Sequence, residues 1–512
     1  MGDSRSSNPV YYISLVVTFL ISAWAIAFPE HFGGVANSVF NFLVTDFGWL
    51  YLLAMFAFVV FSLGLAFSRY GNIRLGNDDD RPEFSTLVWF GMLFGAGMGI
   101  GLVFWGAAEP LNHFVSPDMG ITPMTPEAAD FAMFASFFHW GFHPWANYCI
   151  IGMALAYFQF RRNKPGLIST IFIPLLGEER VKGPIGQTID ILAVFATVAG
   201  VATSLGLGTL QIGQGLNFLF NLPVTTITTL GIIAVIAIIY IWTAVSGIER
   251  GIKYLANINL TLAFVIALLV ILVGPTVKMI NVFTNSLGIY INQFIQESMR
   301  INAFGDNSWI SGWRIFYWAW WIAWAPFVGT FIARISRGRT IREFVLGVTV
   351  VPAIASLIWF AVFGTLALDV GPQVAQQAVQ VTETALFVVL QQYPLFTLIS
   401  AIVVVLLVTF FVTSANSATF VLGMFSSHGD LDPAAGKKLL WGIIQSLLAF
   451  GLLLAGGLKT LQIASIAAAF PFAIVMLLAC VSIFRAVQEE YPAANVRRVD
   501  EQPFQTVDKG KE

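Results

Sequence analysis

An all-α polytopic membrane protein with 12 transmembrane helices is predicted by three observations on this 512-residue chain. Hydrophobic residues make up 57% of it and charged residues only 11%, with a mean hydropathy of +0.79, whereas a soluble globular chain carries about a quarter charged residues. Apolar runs at 13–28, 50–67, 232–244 and 260–273 approach the roughly 20 residues that span a bilayer. Charge asymmetry supplies the third observation. With the N-terminus inside, only Lys278, Arg300, Arg314 and Lys459 of the 26 Lys and Arg fall in outside segments, which follows the positive-inside rule. Both termini are then cytoplasmic, in a multi-pass protein of the cell membrane. A net charge of −2 gives no sign of a nucleic-acid partner.

The spans fall at 10–28, 48–68, 86–108, 133–160, 187–210, 223–245, 254–274, 309–334, 341–368, 394–424, 437–456 and 460–484. A short polar N-terminus (1–9) precedes two accessory helices (10–85). The small-residue triplet at 25–27 resembles a signal-peptide cleavage site, but the apolar run before it is long for a signal core, so the segment is read as a retained span. Two five-helix units follow, at 86–274 and 309–484. One opens on a glycine-broken span and the other on a Trp-rich span. Inverted five-helix repeats with a discontinuous helix at the midplane are a recurring transporter plan. Between the units, at 275–308, apolar residues at steps of three and four (Ile280, Phe283, Leu287, Ile291, Phe294, Ile295) predict an amphipathic helix on the outer surface. A second such helix is expected at 373–391. The acid- and proline-rich stretch 109–130 reads as an outside loop, and the tail 485–512 as a disordered end.

Four segments carry the chemistry. The run from Trp318 to Phe327 places Trp320, Trp324 and Phe327 within about 60° of one another on a helix, with Trp321 beside them. Aromatic faces are negative, so such a cluster suits a cation without hydrogen-bond donors, above all a quaternary ammonium. Gly95, Gly97, Gly99 and Gly101 stand at alternate positions in the third span around Met98. Each glycine weakens a helix by roughly 1 kcal/mol relative to Ala, so the segment is expected to unwind, which a membrane tolerates only where the backbone is buried or lines a cavity. The fourth span adds Trp140, Trp145 and Tyr148 over about 140° of its helix. His139 and His143, four apart, lack a third ligand or a zincin-type glutamate and are read as hydrogen-bonded helix residues. Thr413, Ser414 and Ser417 in the tenth span offer oxygens to a hard cation. Asp190, Glu249 and Asp369 fall at expected helix ends and read as interfacial. Cys149 and Cys480 lie in spans without metal spacing, as packing residues.

The glycine stretch, the segment from Phe138 to Trp145, the tryptophan run and the basic segment from Arg334 to Arg342 together resemble the betaine/choline/carnitine transporter family over about residues 10–485. The resemblance implies the fold of the sodium-coupled amino-acid symporters, with inverted repeats at spans 3–7 and 8–12, a homotrimer, and alternating access around an aromatic box. By matching motifs the box comprises Trp140, Trp145, Tyr148, Trp320, Trp321 and Trp324, with the backbone of Gly97, Met98, Gly99 and Gly101 nearby. A sodium site maps to the carbonyls of Gly95, Met98 and Phe410 plus the hydroxyls of Thr413 and Ser414. There are departures. Gly101 stands where some members carry an acidic residue. The family's other sodium site uses two threonines, and here Thr197 aligns with one and Val201 with the other, although Phe327 is retained at its aromatic wall. No arginine of the ion-independent exchangers is evident, nor the long basic tail of osmosensing members.

The expected function is a secondary transporter importing a quaternary ammonium osmolyte, glycine betaine first, with sodium as the favoured coupling ion and no organic cofactor. The alternatives are a proton-coupled choline or carnitine carrier, and a channel. An intramembrane hydrolase would show a nucleophile elbow, a zinc-binding His-Glu pair or an aspartate dyad, and a channel a repeated filter. The sequence displays none of these. A carboxylate is not required in the box, and none is expected there.

Overall fold

A computed structural model of the chain describes residues 8–500 other than Met98, Met119, Gly247 and Ile248; at 94, 96, 97, 249–253 and 491–500 the description is of backbone alone. Among the described residues there is no β-strand, only one isolated bridge between Arg74 and Thr340. The helices are α1 (Pro9–Ala27), α2 (Pro29–Phe67), α3 (Thr86–Gly97), α4 (Ile100–Val115), α5 (Pro126–Trp140), α6 (Phe142–Ala156), α7 (Pro184–Phe220), α8 (Thr226–Ser246), α9 (Glu249–Val273), α10 (Thr276–Ser298), α11 (Phe316–Arg334), α12 (Ile341–Leu368), α13 (Phe396–Phe425), α14 (Ala435–Gly456) and α15 (Leu458–Asp500). Ten described helices are long and apolar enough to cross a bilayer, and the protein is a polytopic, all-helical membrane protein. The expected third and fourth spans are not among the ten because each is in two pieces, α3 with α4 and α5 with α6, of 12 to 16 residues apiece.

Local chemistry explains where helices start and stop. Asn8 caps α1 by accepting from the Tyr11 amide at 3.4 Å, with Pro9 in the first turn, where a missing N–H costs nothing. Pro29 opens α2 in the same way, so this helix begins well before the expected span at 48. Thr340 and Glu343 form a capping box on α12, satisfying two orphan amides reciprocally. Gly141 ends α5. A Cβ there would lie 2.5 Å from the Tyr290 hydroxyl and 2.7 Å from the Phe137 carbonyl, and the freed Phe142 amide donates to Tyr290 Oη at 2.9 Å. Helix α10 therefore reaches in from the side and repairs the break.

The packing keeps its form when the two five-helix units are exchanged. Helix α6 packs on α11 as α4 packs on α12; α7 meets α15 as α13 meets α9; α8 lies on α13 as α14 lies on α7. Helices α7 and α13 contact each other directly, as do α8 and α14. At the centre, α11 is buried on nearly all sides and α7 over most of its length. A helix apolar all round is an interior helix, and these two are.

Several expectations change. Residues 373–391 are not a second surface helix: Pro372–Ala378 leads into a buried turn, Ala385–Leu390, packed on α4. The run Ala385–Leu390 is apolar at every position, a pattern that cannot present a polar face to water. Helix α10 forms as expected, but its apolar residues divide. Phe283, Leu287 and Phe294 pack inward while Ile280, Ile291 and Ile295 stay exposed. Asp190 is not interfacial: it is buried in α7 and accepts from the Ser169 amide (2.8 Å) and hydroxyl (2.7 Å). Asp369 caps α12 and pairs with Lys278 at 2.8 Å, while the Glu249 side chain lies outside the described residues. Beyond the expected last span the backbone of α15 remains helical to Asp500, and Glu490 pairs with Arg161.

The basic segment after α11 crosses the loop after α2. The Leu75 and Gly338 amides donate to the carbonyls of Arg339 and Leu75, each at 2.8 Å, and the Arg339 guanidinium sits 3.9 Å from the Trp89 ring centroid. Gly338 has φ +82°, and a Cβ there would meet the Arg81 carbonyl at 2.2 Å. Gly338→Ala is expected to lose more than about 1 kcal/mol of stability, since both conformation and space exclude a side chain. Gly371→Ala shares the left-handed backbone (φ +84°) but meets nothing within 4 Å. Thermal unfolding in detergent should show a clearly larger drop for the former.

Candidate functional site

The glycine stretch divides the third span as expected. Helix α3 stops at Gly97, Gly99 is extended (φ −162°, ψ −173°), and α4 starts at Ile100; Met98, counted in both expected sites, lies outside the described residues. Gly99 meets nothing within 4 Å, but a Cβ on Gly101 would lie 2.8 Å from Trp320 Cη2 and 2.9 Å from Trp140 Cη2. Two tryptophans thus press on the backbone at the break. The same contact shows why an acidic side chain has no room at Gly101 in this packing.

The structure brings the expected rings together from α5, α6 and α11. Trp140 meets Trp321 (centroids 4.8 Å) and Trp320 (6.1 Å) edge-on, Trp320 stacks on Trp321 at 4.8 Å, and Trp324 reaches Trp320 at 6.4 Å and Phe327 at 5.5 Å. Tyr148 joins through Trp321 at 6.4 Å. Trp145 is one ring further out, touching the cluster through Tyr148 at 5.5 Å. Edge-to-face pairs at these separations are favourable geometry for aromatic rings.

Three of the rings are also held by their edges. Trp140 Nε1 donates to Glu109 Oε2 (2.8 Å), Trp321 Nε1 to the His139 carbonyl (3.0 Å), and Trp324 Nε1 to the Gly200 carbonyl (2.7 Å). Asn147 fixes the Trp321 carbonyl at 2.8 Å. Trp320 Nε1 is buried with no partner among the described residues. The four tryptophans Trp140, Trp320, Trp321 and Trp324 therefore offer π faces, with three of their N–H donors spent on the protein and that of Trp320 in reserve. That arrangement suits a donor-free cation carrying an acceptor group.

Glu109 corrects the expectation of an outside loop at 109–130. Helix α4 runs on past the expected end at 108, and Glu109 is wholly buried in it. His139 (2.7 Å) and His113 (3.3 Å) face its Oε1, and Tyr317 Oη donates to Oε2 at 2.5 Å. The spacing of Glu109 and His113, four apart beyond an apolar run, was the available signal. His143 turns away to Ser298 Oγ at 2.9 Å. Both histidines of the fourth span are hydrogen-bonded, as read.

The expected cation ligands are placed on α3 and α13. Thr413 Oγ1 donates toward the carbonyls of Thr409 (3.0 Å) and Phe410 (3.1 Å), and Ser414 beside it is half-buried. Gly95 faces Leu260 of α9, which a Cβ would approach to 3.6 Å. The adjacent Asn259 donates to Thr413 Oγ1 at 3.0 Å, and its buried Oδ1 has no partner among the described residues. Both halves of the expected set thus lie against neighbouring residues of α9, and Asn259 is an oxygen the sequence reading missed. At the other location Thr197 Oγ1 is bonded to its own helix at Ala193 O (2.8 Å), and Val201 is buried without an oxygen to offer.

Comparison with known proteins follows the same lines. The sequence profile of the betaine/carnitine/choline family transporters matches residues 9–492. A probable glycine betaine transporter of Desulfitobacterium hafniense (strain Y51) is 48% identical over 499 residues, covering 96% of this chain and 100% of that protein. A glycine betaine transporter of Bacillus subtilis (strain 168) is 49% identical over 487 residues, 94% of this chain and 95% of its own. An ectoine/hydroxyectoine transporter of Virgibacillus pantothenticus is 45% identical over 494 residues, 96% and 98% respectively.

Gly101→Ala is expected to weaken substrate binding at least tenfold, because the methyl group would push on both Trp140 and Trp320. Gly99→Ala, in extended backbone with open space around it, should change binding less than threefold. Equilibrium binding of radiolabelled glycine betaine, the compound for which two of these relatives are named, to the purified variants checks the contrast.

Proposed function

We infer, since the chain belongs to the betaine/carnitine/choline family of transporters, that it imports a quaternary ammonium osmolyte, glycine betaine first, in symport with sodium. The observation that carries this reading is the ring cluster of Trp140, Trp320, Trp321 and Trp324, three of whose indole N–H groups are bonded into the protein. A trimethylated nitrogen has no hydrogen to donate and suits such faces. Its carboxylate requires a donor, and the unpartnered Trp320 N–H and the amides of the broken span, as in other discontinuous helices, are the candidates. Two of the relatives above are named for glycine betaine. Ectoine, for which the third is named, is the competing substrate, and uptake of a small panel of labelled osmolytes separates the two. Family membership also supports cytoplasmic termini and a homotrimer.

Sodium coupling is supported by the oxygens at Phe410, Thr413 and Ser414 and by the spare Asn259 oxygen beside them. A hard cation takes oxygen ligands, and losing part of the set leaves its desolvation uncompensated. The second location is short of oxygens at Val201 and Gly101. One coupled sodium ion is therefore expected. Initial uptake against sodium concentration at fixed pH and membrane potential should give a Hill coefficient near one, and Thr413→Ala with Ser414→Ala should abolish sodium stimulation. A coefficient near two refutes the single ion. Uptake indifferent to sodium but driven by an inward proton gradient refutes sodium coupling.

Trp324→Leu tests the box itself. A desolvated cation–π contact is worth about 2 kcal/mol, and about 1.4 kcal/mol is tenfold in affinity, so the dissociation constant should rise roughly tenfold or more. Trp105, packed on Trp313, Phe316 and Tyr317, lies off the cluster, and Trp105→Leu should matter less. Unchanged binding in Trp324→Leu would remove the ring cluster as the substrate site.

A further inference from the structure

Glu109 lies eight residues beyond Gly101 on α4, about 12 Å along the helix, and Trp140 bridges the two. One edge of this indole rests on Gly101, and its N–H reaches Glu109. The carboxylate receives four groups, the His113 and His139 nitrogens on Oε1 and the Trp140 and Tyr317 donors on Oε2. That is the accepting capacity of an ionised carboxylate. In the tautomers that turn both ring protons toward it, Glu109 is an anion with every slot filled and both histidines are neutral. Their outer nitrogens, His113 Nδ1 and His139 Nε2, have no partner among the described residues, and a charged imidazole would leave an N–H there unmet. The three ligand atoms of Glu109, His113 and His139 lie within 4.8 Å of one another, close enough for a divalent ion. Metal-bound histidine, however, donates its other ring N–H to an acceptor, and the surroundings supply none. The nearby buried cation, Arg314, is engaged by Glu297 at 2.9 Å.

We propose that Glu109 is a positioning and specificity residue for the osmolyte: it fixes Trp140 through the indole N–H and lends negative charge to the ring face on which the quaternary ammonium rests. The proposal rests on the aromatic-box reading above. A carboxylate accepting from an indole N–H polarises the π system away from that hydrogen, which deepens the negative potential over the ring. An ionisable group kept inside a membrane protein at this cost marks a substrate pathway by default. Glu109 thereby supplies the counter-charge that the box itself lacks.

The test is a double-mutant cycle on the full-length protein in detergent, with binding of radiolabelled glycine betaine measured for the parent, Glu109→Gln, Trp140→Phe and the pair. Glu109→Gln alone is expected to weaken binding tenfold or more, yet less than threefold once Trp140→Phe has removed the N–H link. Equal losses in the two backgrounds would make Glu109 a structural anchor for His113, His139 and Tyr317, and would overturn the proposal; so would no loss in either. If Glu109→Gln fails to fold, Glu109→Asp draws the charge back by one methylene and runs the same cycle with the same criterion. A second readout uses 3,3-dimethylbutanoate, the isostere with an uncharged head, as competitor. Glu109→Gln should narrow the preference for glycine betaine over it, and an unchanged ratio counts against the proposal. Normal binding in Trp324→Leu would sink the box reading as a whole. Impaired binding there together with an additive Glu109 cycle would sink the role of Glu109 alone.

Discussion

Inside a bilayer a backbone amide or carbonyl that leaves its helix has no water to turn to, and the central architecture of this protein follows from how each such break is repaired. Gly141 opens the fourth span, and the Tyr290 hydroxyl, brought in by α10, meets the freed Phe142 amide. The gap between Gly97 and Ile100 opens the third span, and Trp140 and Trp320 close over the adjoining turn at Gly101. Helix α11 begins in a wide π-turn, Ile310–Ile315, a feature frequent at functional sites.

The clustered rings serve two purposes that reinforce each other. As large buried hydrophobes they join α5 and α6 to α11, with Trp318, Trp320 and Tyr317 essentially inaccessible. As indoles they need partners for their N–H groups, and those partners come from other elements: Glu109 on α4, the His139 carbonyl on α5 and the Gly200 carbonyl on α7. Three neighbouring helices are therefore fixed relative to α11 by its own aromatic edges or by Trp140. Any motion that shifts α11 against α4 or α7 must exchange these bonds. The cluster is thus tied mechanically to α4, α5 and α7.

Much of the fold could be read from the chain. Hydropathy, the charge asymmetry and the glycine and tryptophan runs led to a polytopic helical protein with a broken third span and a ring cluster assembled from the fourth and eighth. Periodicity also found α10. It failed at 373–391, where Ala385–Leu390 is apolar at every position and so cannot sit at an interface, and at 485, where the pairing of Glu490 with Arg161 engages α15 beyond its last apolar turn. The first lay in plain view in the local sequence, whereas the second comes from a contact distant in sequence, which no local window contains.

The identity of the chemistry was set by composition at particular positions: rings in helical register, glycines where a helix must open, hydroxyls adjacent on α13. Those are local properties, and the sequence by itself determined them. Which polar groups meet was decided only in three dimensions. Glu109 looked like a loop acid because a proline follows it and the apolar run before it ends, yet α4 continues through Pro110 and delivers the carboxylate to His139, Trp140 and Tyr317. Asn259 gave no signal in an otherwise ordinary span, and it matters because α9 packs against α13 at Thr413. A buried charge or amide is tolerated only through its partners. Those partners lie 30 to more than 200 positions away in the chain, and tertiary packing alone brings them within hydrogen-bond reach.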